Sequence, residues 1–196
     1  VRLGVFGGTF DPPHVGHLLV ASDAVEQLML DRVVFVPTAL QPLKPGSAQT
    51  PPAQRLAMVE ALVGDDPRFM VDPIEIERGG LSFTVDTLGT LAARQPGAEL
   101  FLLAGADVLA TFARWREPER IRRQATLVVL TRSGEDGSAP TVAPPDFPGG
   151  APMFLPTRRV DVSSTEVRAR LKAGRSIRGF VPESVVDLIG SAGLYR

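Results

Sequence analysis

Short runs of consecutive apolar residues, rich in valine, leucine and phenylalanine, alternate along this chain with stretches whose apolar positions recur every three or four residues. The runs "RLGVF" (2–6), "RVVFVP" (32–37), "ELFLLAG" (99–105) and "ATLVVLT" (125–131) lack the polar alternation of a half-exposed strand and read as strands buried on both faces. Between them, residues 13–30, 52–63, 84–94 and 106–123 read as helices, the last broken near Pro118. Crossovers of this length join parallel strands by right-handed connections, so the predicted fold class is α/β, a doubly wound parallel sheet. Helices over 163–173 and 182–191, separated by the turn "GRSIRGFVP", form a small C-terminal helical appendage packed on the C-terminal side of the sheet. At 196 residues the expectation is one domain, with a core over about 1–160 and a helical part over about 161–196.

Composition narrows the chemistry. The chain has no cysteine, which removes disulfides, thiolate catalysis and cysteine-bound metals together and makes a reducing cytoplasm the expected compartment. A net charge of −1 gives no global pull toward nucleic acid or an anionic membrane, so an anionic ligand must be held by a local device. No apolar run is long enough for a membrane span, and the strand-like start leaves no room for a signal peptide. Two Pro- and Gly-rich stretches, 38–52 and 133–152, read as surface loops.

Both histidines of the chain fall in one segment, "GGTFDPPHVGH" (7–17), where the first strand ends and a helix begins. Ligands of open parallel sheets lie beyond the carboxyl ends of the strands, which is where this segment falls. Gly7 and Gly8 leave the backbone bare, so a phosphate can approach the amides and the chain can take positive φ. Pro12 or Pro13 suits the first helical position, the helix starts near His14, and its dipole and N-terminal amides make an anion seat. His14 and His17, three apart, share a helix face, and Gly16 between them leaves room for something large against the first turn. A metal site would need a third ligand, and no further histidine or H-E-x-x-H pattern exists. Two buried histidines satisfied by backbone are the bland alternative; a glycine loop at a switch point favours phosphate binding. The dinucleotide fingerprint G-x-G-x-x-G and the P-loop pattern G-x-x-x-x-G-K-[ST] are both missing, which excludes those two nucleotide-binding classes.

A second helix start, "VSSTEVRARLKAG" (162–174), carries Ser163 and Glu166 at capping-box spacing, hydroxyls at Ser164 and Thr165, and Arg168 one turn in. By itself this is a well-capped amphipathic helix. Together, His14-Val15-Gly16-His17 and "VSSTEVR" resemble the H-x-G-H and I-S-S-T-x-x-R signatures of the nucleotidyltransferase superfamily, whose fold is a Rossmann-like α/β sheet. Three further segments are similar to bacterial nicotinate-nucleotide adenylyltransferases: "DPIEIERGGLSFTVDTL" (72–88), with Phe83 where that family usually has tyrosine; "LLAGADVLATFARW" (102–115); and "QPLKP" (41–45), with Leu43 in place of a histidine.

The resemblance implies transfer of AMP from ATP to nicotinate mononucleotide, giving nicotinate adenine dinucleotide and pyrophosphate, with Mg²⁺ carried by ATP and no protein metal site. It assigns catalysis to His14, His17 and Arg168. ATP or phosphate contacts fall to Gly7, Gly8, Thr9, Phe10, Gly105, Asp107, Ser163, Ser164, Thr165, Lys44 and Arg132. Asp107, just past a strand, suits ribose hydroxyls, the alternative being a helix N-terminal acid; Lys44 and Arg132 are otherwise plain surface charge. Thr84, Trp115 and Lys44 are the mononucleotide contacts, with Trp115 offering a flat face to the pyridine ring. The rivals are a pantetheine-phosphate adenylyltransferase and a nucleotide-binding regulator without turnover; no basic patch interleaved with aromatics supports RNA binding. The sequence leaves open nicotinate against nicotinamide, and whether the chain forms a homo-oligomer.

Overall fold

The computed structural model describes residues 1–43, 50–132 and 142–196, Arg132 by its backbone alone. Among these, six strands form one parallel sheet in the order β3-β2-β1-β4-β5-β6, where β1 is Arg2–Gly8, β2 Arg32–Pro37, β3 Phe69–Val71, β4 Glu99–Gly105, β5 Thr126–Arg132 and β6 Met153–Thr157. Every pairing is parallel, with Phe6 beside Phe35 and Leu103 in the central register. This is a Rossmann-like, doubly wound α/β fold, as the alternation of apolar runs and helical periodicity leads one to expect.

Period-two alternation decides what each strand residue faces. Phe6, Val33, Phe35, Phe101, Leu103 and Val128 point to one side, where they meet α1 (Val15–Leu28), α2 (Pro52–Val63), α7 (Ser164–Lys172) and α8 (Glu183–Ala192). Leu3, Val5, Val34, Leu100, Leu102 and Val129 point to the other, against α3 (Ile74–Arg78), α4 (Thr84–Arg94), α5 (Val108–Thr111) and α6 (Pro118–Gln124). Val167, Ile177, Val181, Val185, Ile189 and Tyr195 all enter the first core, so the C-terminal helices share the sheet's own hydrophobic interior. Ser184 Oγ also donates to the Ala61 carbonyl of α2 at 2.8 Å.

Three local expectations are corrected. α1 begins at Val15 with His14 as its N-cap, so neither Pro12 nor Pro13 takes the first helical position; the Asp11–Pro12 peptide is cis and the chain turns before it coils. The stretch 106–123 does break ahead of Pro118, where Glu117 takes a left-handed φ of 52° and α6 begins, but its first part is only α5 and a 3₁₀ turn over Phe112–Arg114. Residues 133–141 lie outside the described part, while Phe147 from the same loop is buried and stacks on Phe112 with ring centroids 5.2 Å apart.

The sheet's order reverses between β1 and β4, and the middle of β1 has to be thin. A Cβ added at Gly4 would stand 2.9 Å from both Leu30 Cδ1 and Val33 Cγ2 and 3.2 Å from Leu103 Cδ1. Gly4→Ala is therefore expected to destabilise the fold by about 1–3 kcal/mol through overpacking, read as a lower urea midpoint at unchanged m-value.

Candidate active site

The loop after β1 is built around aromatic packing. Phe10 takes a left-handed φ of 51°, and its ring packs 5.9 Å from Phe6, 5.9 Å from Phe35 and 5.0 Å from His17. Phe10 therefore meets the core with its side chain, leaving only its backbone for a ligand. Gly8 is bare for the same reason, since a Cβ there would stand 2.9 Å from the Phe10 ring; neither it nor Gly7 adopts positive φ, and a Cβ at Gly7 would meet nothing within 4 Å. Thus Gly7 is the glycine that opens onto free space.

His14 and His17 do come together, with ring centroids 3.8 Å apart. The His14 N–H donates to His17 Nδ1 at 3.1 Å, and the His17 N–H donates to the His14 carbonyl at 2.9 Å. Burial, with the neighbouring His14 adding to it, holds the His17 imidazole well below its ordinary value. His17 is then neutral near pH 7, and because its Nδ1 is an acceptor its proton sits on Nε2, a ready donor to an anionic oxygen. Gly16 has a different job from the one its sequence position suggests. A Cβ there would stand 2.9 Å from His14 Nδ1 and 3.4 Å from Val160 Cγ1, so the space is taken by the imidazole itself. The anion seat is also narrower than expected, since the Val15 N–H is already given to the Phe180 carbonyl at 2.9 Å.

The start of α7 lies directly against this loop. Ser163 Oγ caps the helix by accepting the Glu166 N–H at 3.1 Å. Ser164 Oγ donates to the Pro12 carbonyl at 2.7 Å, and Arg168 reaches the Asp11 carbonyl at 2.5 Å and Thr165 Oγ1 at 3.3 Å. Residues more than 150 positions apart in the chain are thereby in direct contact. Upstream, Arg158 steers the chain into α7 by clamping Asp23 of α1, its N–H, Nε and Nη2 donating at 2.9, 2.9 and 2.6 Å.

On the other side of the β1 terminus is a cleft of about 260 Å³, walled by the ends of β1, β2 and β4 and by the N-terminus of α4. It collects Gly7, Gly8, Gly105, Asp107, Thr84 and Trp115. Asp107 is the N-cap residue of α5, and its carboxylate makes no capping hydrogen bond. Trp115 is partly buried and tilts against Phe112 at 5.4 Å, leaving part of the indole on the cleft. Thr84 is the first residue of α4, where backbone amides and the positive dipole end favour a carboxylate. Lys44 and the Arg132 side chain lie outside the described residues. His14, His17, Ser163–Thr165 and Arg168 do not line this cleft but flank the loop beside it.

Some participants escaped the motif reading. Arg55 is 1% exposed and spends its guanidinium on four carbonyls: Thr9 at 2.7 Å, Thr38 at 2.7 Å, Ala39 at 3.2 Å and Thr50 at 3.0 Å. Asp11, inside the quoted loop, is buried and accepts Tyr195 Oη at 2.5 Å. Glu75, inside the "DPIEIERGG" segment, lines the cleft; Thr87 Oγ1 donates to its Oε1 at 2.7 Å while its buried Oε2 has no partner. For Asp11 and Glu75 the signal was present in the matched motifs, whereas Arg55 looks like any polar position of an amphipathic helix. Among the described residues no group of three His, Asp or Glu side chains is placed to hold a metal ion, and no helix is long and apolar enough to cross a membrane.

Known proteins resemble the chain throughout its length. Residues 5–170 match the cytidylyltransferase-like family. A protein of Gemmatimonas aurantiaca named "Probable nicotinate-nucleotide adenylyltransferase" is 52% identical over all of this chain and 93% of its own length. One of the same name from Thermus thermophilus is 45% identical over all of both chains. The solved Plasmodium falciparum nicotinic acid mononucleotide adenylyltransferase, complexed with NaAD, superposes with a TM-score of 0.74 at 17% identity, covering 99% of this chain and 97% of that one. At that identity it bears on the fold alone.

Glu75 offers a check on the cleft's electrostatics. Burial raises its carboxyl above the ordinary value, only partly offset by the Thr87 and Ser82 hydroxyls and the charge of Arg78. A carboxyl raised on folding stabilises the folded state fully below its unfolded value of about 4.3 and loses that contribution as pH rises through the folded one. Glu75→Gln is therefore expected to raise Tm at pH 7 and to give no gain near pH 4, measured by thermal melts at both values.

Proposed function

Since the chain belongs to the nicotinate-nucleotide adenylyltransferases of the cytidylyltransferase-like family, we propose that it transfers AMP from ATP to nicotinate mononucleotide, with release of pyrophosphate. The observation that carries this reading is the contact between the two-histidine loop and the start of α7, made by Ser164 and Arg168 on the carbonyls of Pro12 and Asp11. It gathers donors from both segments on one side of the β1 terminus, next to a cleft of the right character for a pyridine nucleotide. The whole chain acts as one catalytic unit, since its C-terminal helices share the sheet's core.

The acceptor's phosphate monoester is largely dianionic at neutral pH, its second pKa being near ~6, so the nucleophile needs no protein base. The task left to the chain is alignment and charge stabilisation. The triphosphate lies along the Gly7–Thr9 backbone, with the neutral His17 Nε2–H, His14, Thr165 and Arg168 meeting the negative charge that builds on the α-phosphate and the departing pyrophosphate. On substrate binding the Arg168 guanidinium exchanges the Asp11 carbonyl for phosphate oxygen. Asp107 accepts from ribose hydroxyls, Trp115 covers the pyridine ring, and the Thr84 end of α4 receives the nicotinate carboxylate. Mg²⁺ travels with ATP, a hard cation held by phosphate oxygens. Lys44 and Arg132 are assigned as additional phosphate contacts on the resemblance alone, and the cytoplasm is the compartment where ATP and the mononucleotide meet the enzyme.

Pyrophosphate release from ATP and Mg²⁺ with each acceptor tests the reading. Turnover with nicotinate mononucleotide is expected, and release only with phosphopantetheine, or ATP binding without release, would favour the two rivals. His17→Ala is expected to lower kcat about 10²-fold with a smaller change in KM, as for loss of one preorganised donor. A purified, folded variant with near wild-type turnover would remove His17 from catalysis.

A further inference from the structure

We infer that Tyr195 and Arg55 are positioning residues that hold the two-histidine loop from behind, acting through Asp11 and Thr9. The inference rests on the transferase reading of that loop and adds two residues from parts of the chain that no motif covers.

Asp11 is where the bonds meet. Its carboxylate accepts the Tyr195 hydroxyl, its backbone carbonyl accepts Arg168, and the Arg55 guanidinium lies close enough for the two charges to favour one another. Arg55 in turn fixes the Thr9 carbonyl, two residues earlier, and ties it to Thr38 and Ala39 beyond β2 and to Thr50 ahead of α2. The loop is thus held on one side by α2 and on the other by the second residue from the chain's end. Tyr195 also keeps a left-handed φ of 64°, a conformation that a non-glycine residue retains only when its surroundings specify it. Both residues are buried and spend their polar atoms on the loop and its neighbours, so both act through the loop and touch no substrate.

An in-line displacement is sensitive to sub-ångström placement, whereas ground-state binding of a triphosphate is shared among many donors. Loosening the loop is therefore expected to reduce kcat far more than ATP affinity. Tyr195→Phe removes one hydroxyl and leaves the ring in the core. In protein shown by circular dichroism to be folded at the assay temperature, it is expected to lower kcat about tenfold while the Kd for ATP, measured by equilibrium titration, stays within about threefold. Added to His17→Ala it is expected to lower kcat by less than it does alone, because part of its effect runs through His17.

A second readout needs no turnover and separates this inference from the transferase reading. With only two histidines in the chain, the imidazole resonances of His14 and His17 report the loop directly. They are expected to shift in Tyr195→Phe and again in Arg55→Lys, whose single ammonium cannot span four carbonyls. Unchanged imidazole resonances in Tyr195→Phe, or a kcat within twofold of wild type in an active enzyme, would overturn the proposal. If Arg55→Lys fails to fold, Tyr195→Phe alone decides.

Discussion

Two backbone carbonyls, those of Asp11 and Pro12, join the distant parts of this molecule into one site. Ser164 Oγ and the Arg168 guanidinium both donate to them, so the second helix start is fastened to the two-histidine loop rather than merely near it. A backbone carbonyl that turns away from a helix needs a partner, and here the partners are groups that also suit phosphate oxygens. The same contact that satisfies the fold thus stations hydroxyl and guanidinium groups beside the two-histidine loop. Asp11 repeats the principle with its side chain, which gathers Tyr195 and faces the charge of Arg55.

The position of the site follows from the sheet. Strand order reverses between β1 and β4, the helices that follow them depart to opposite faces, and the gap left at the strand ends is the cleft. Bare backbone at Gly7 keeps the mouth open and at Gly105 leaves room for the Asp107 carboxylate, while Gly8 and Gly16 each accommodate an aromatic ring of their own loop. The Phe10 ring under Gly8 and the His14 ring against Gly16 make the loop rigid, and rigidity is what preorganised donors require.

Four of the six strands and the helices over 52–63, 84–94 and the C-terminal segments were legible in the sequence because apolar runs and helical spacing are strong over six residues or more. β3 was missed at three residues, and β6 at five, its Pro156 tolerable because β6 is an edge strand. α3, also five residues long, is too short for periodicity to register. Of the candidate residues, His14, His17, Ser164 and Arg168 came from motif spacing, Asp107 from its place after a strand, and Thr84 and Trp115 from the family resemblance; the fold brings the first four to one loop and the last three to one cleft. Arg55 and Tyr195 were not legible, since nothing local marks a helix arginine as buried or says which loop a terminal tyrosine will meet. The uses of Gly8 and Gly16 were misread, because a bare position shows neither whether it faces ligand or ring.

The most direct measurement is calorimetric titration of inorganic tripolyphosphate into the wild-type protein, His17→Ala and Arg168→Ala. If the two segments serve one polyphosphate chain, the wild type binds with a stoichiometry of one and each substitution weakens that single event by about tenfold or more, the worth of one hydrogen bond to a charged group. Two independent binding events, or an affinity within twofold of wild type in either variant, would contradict the account.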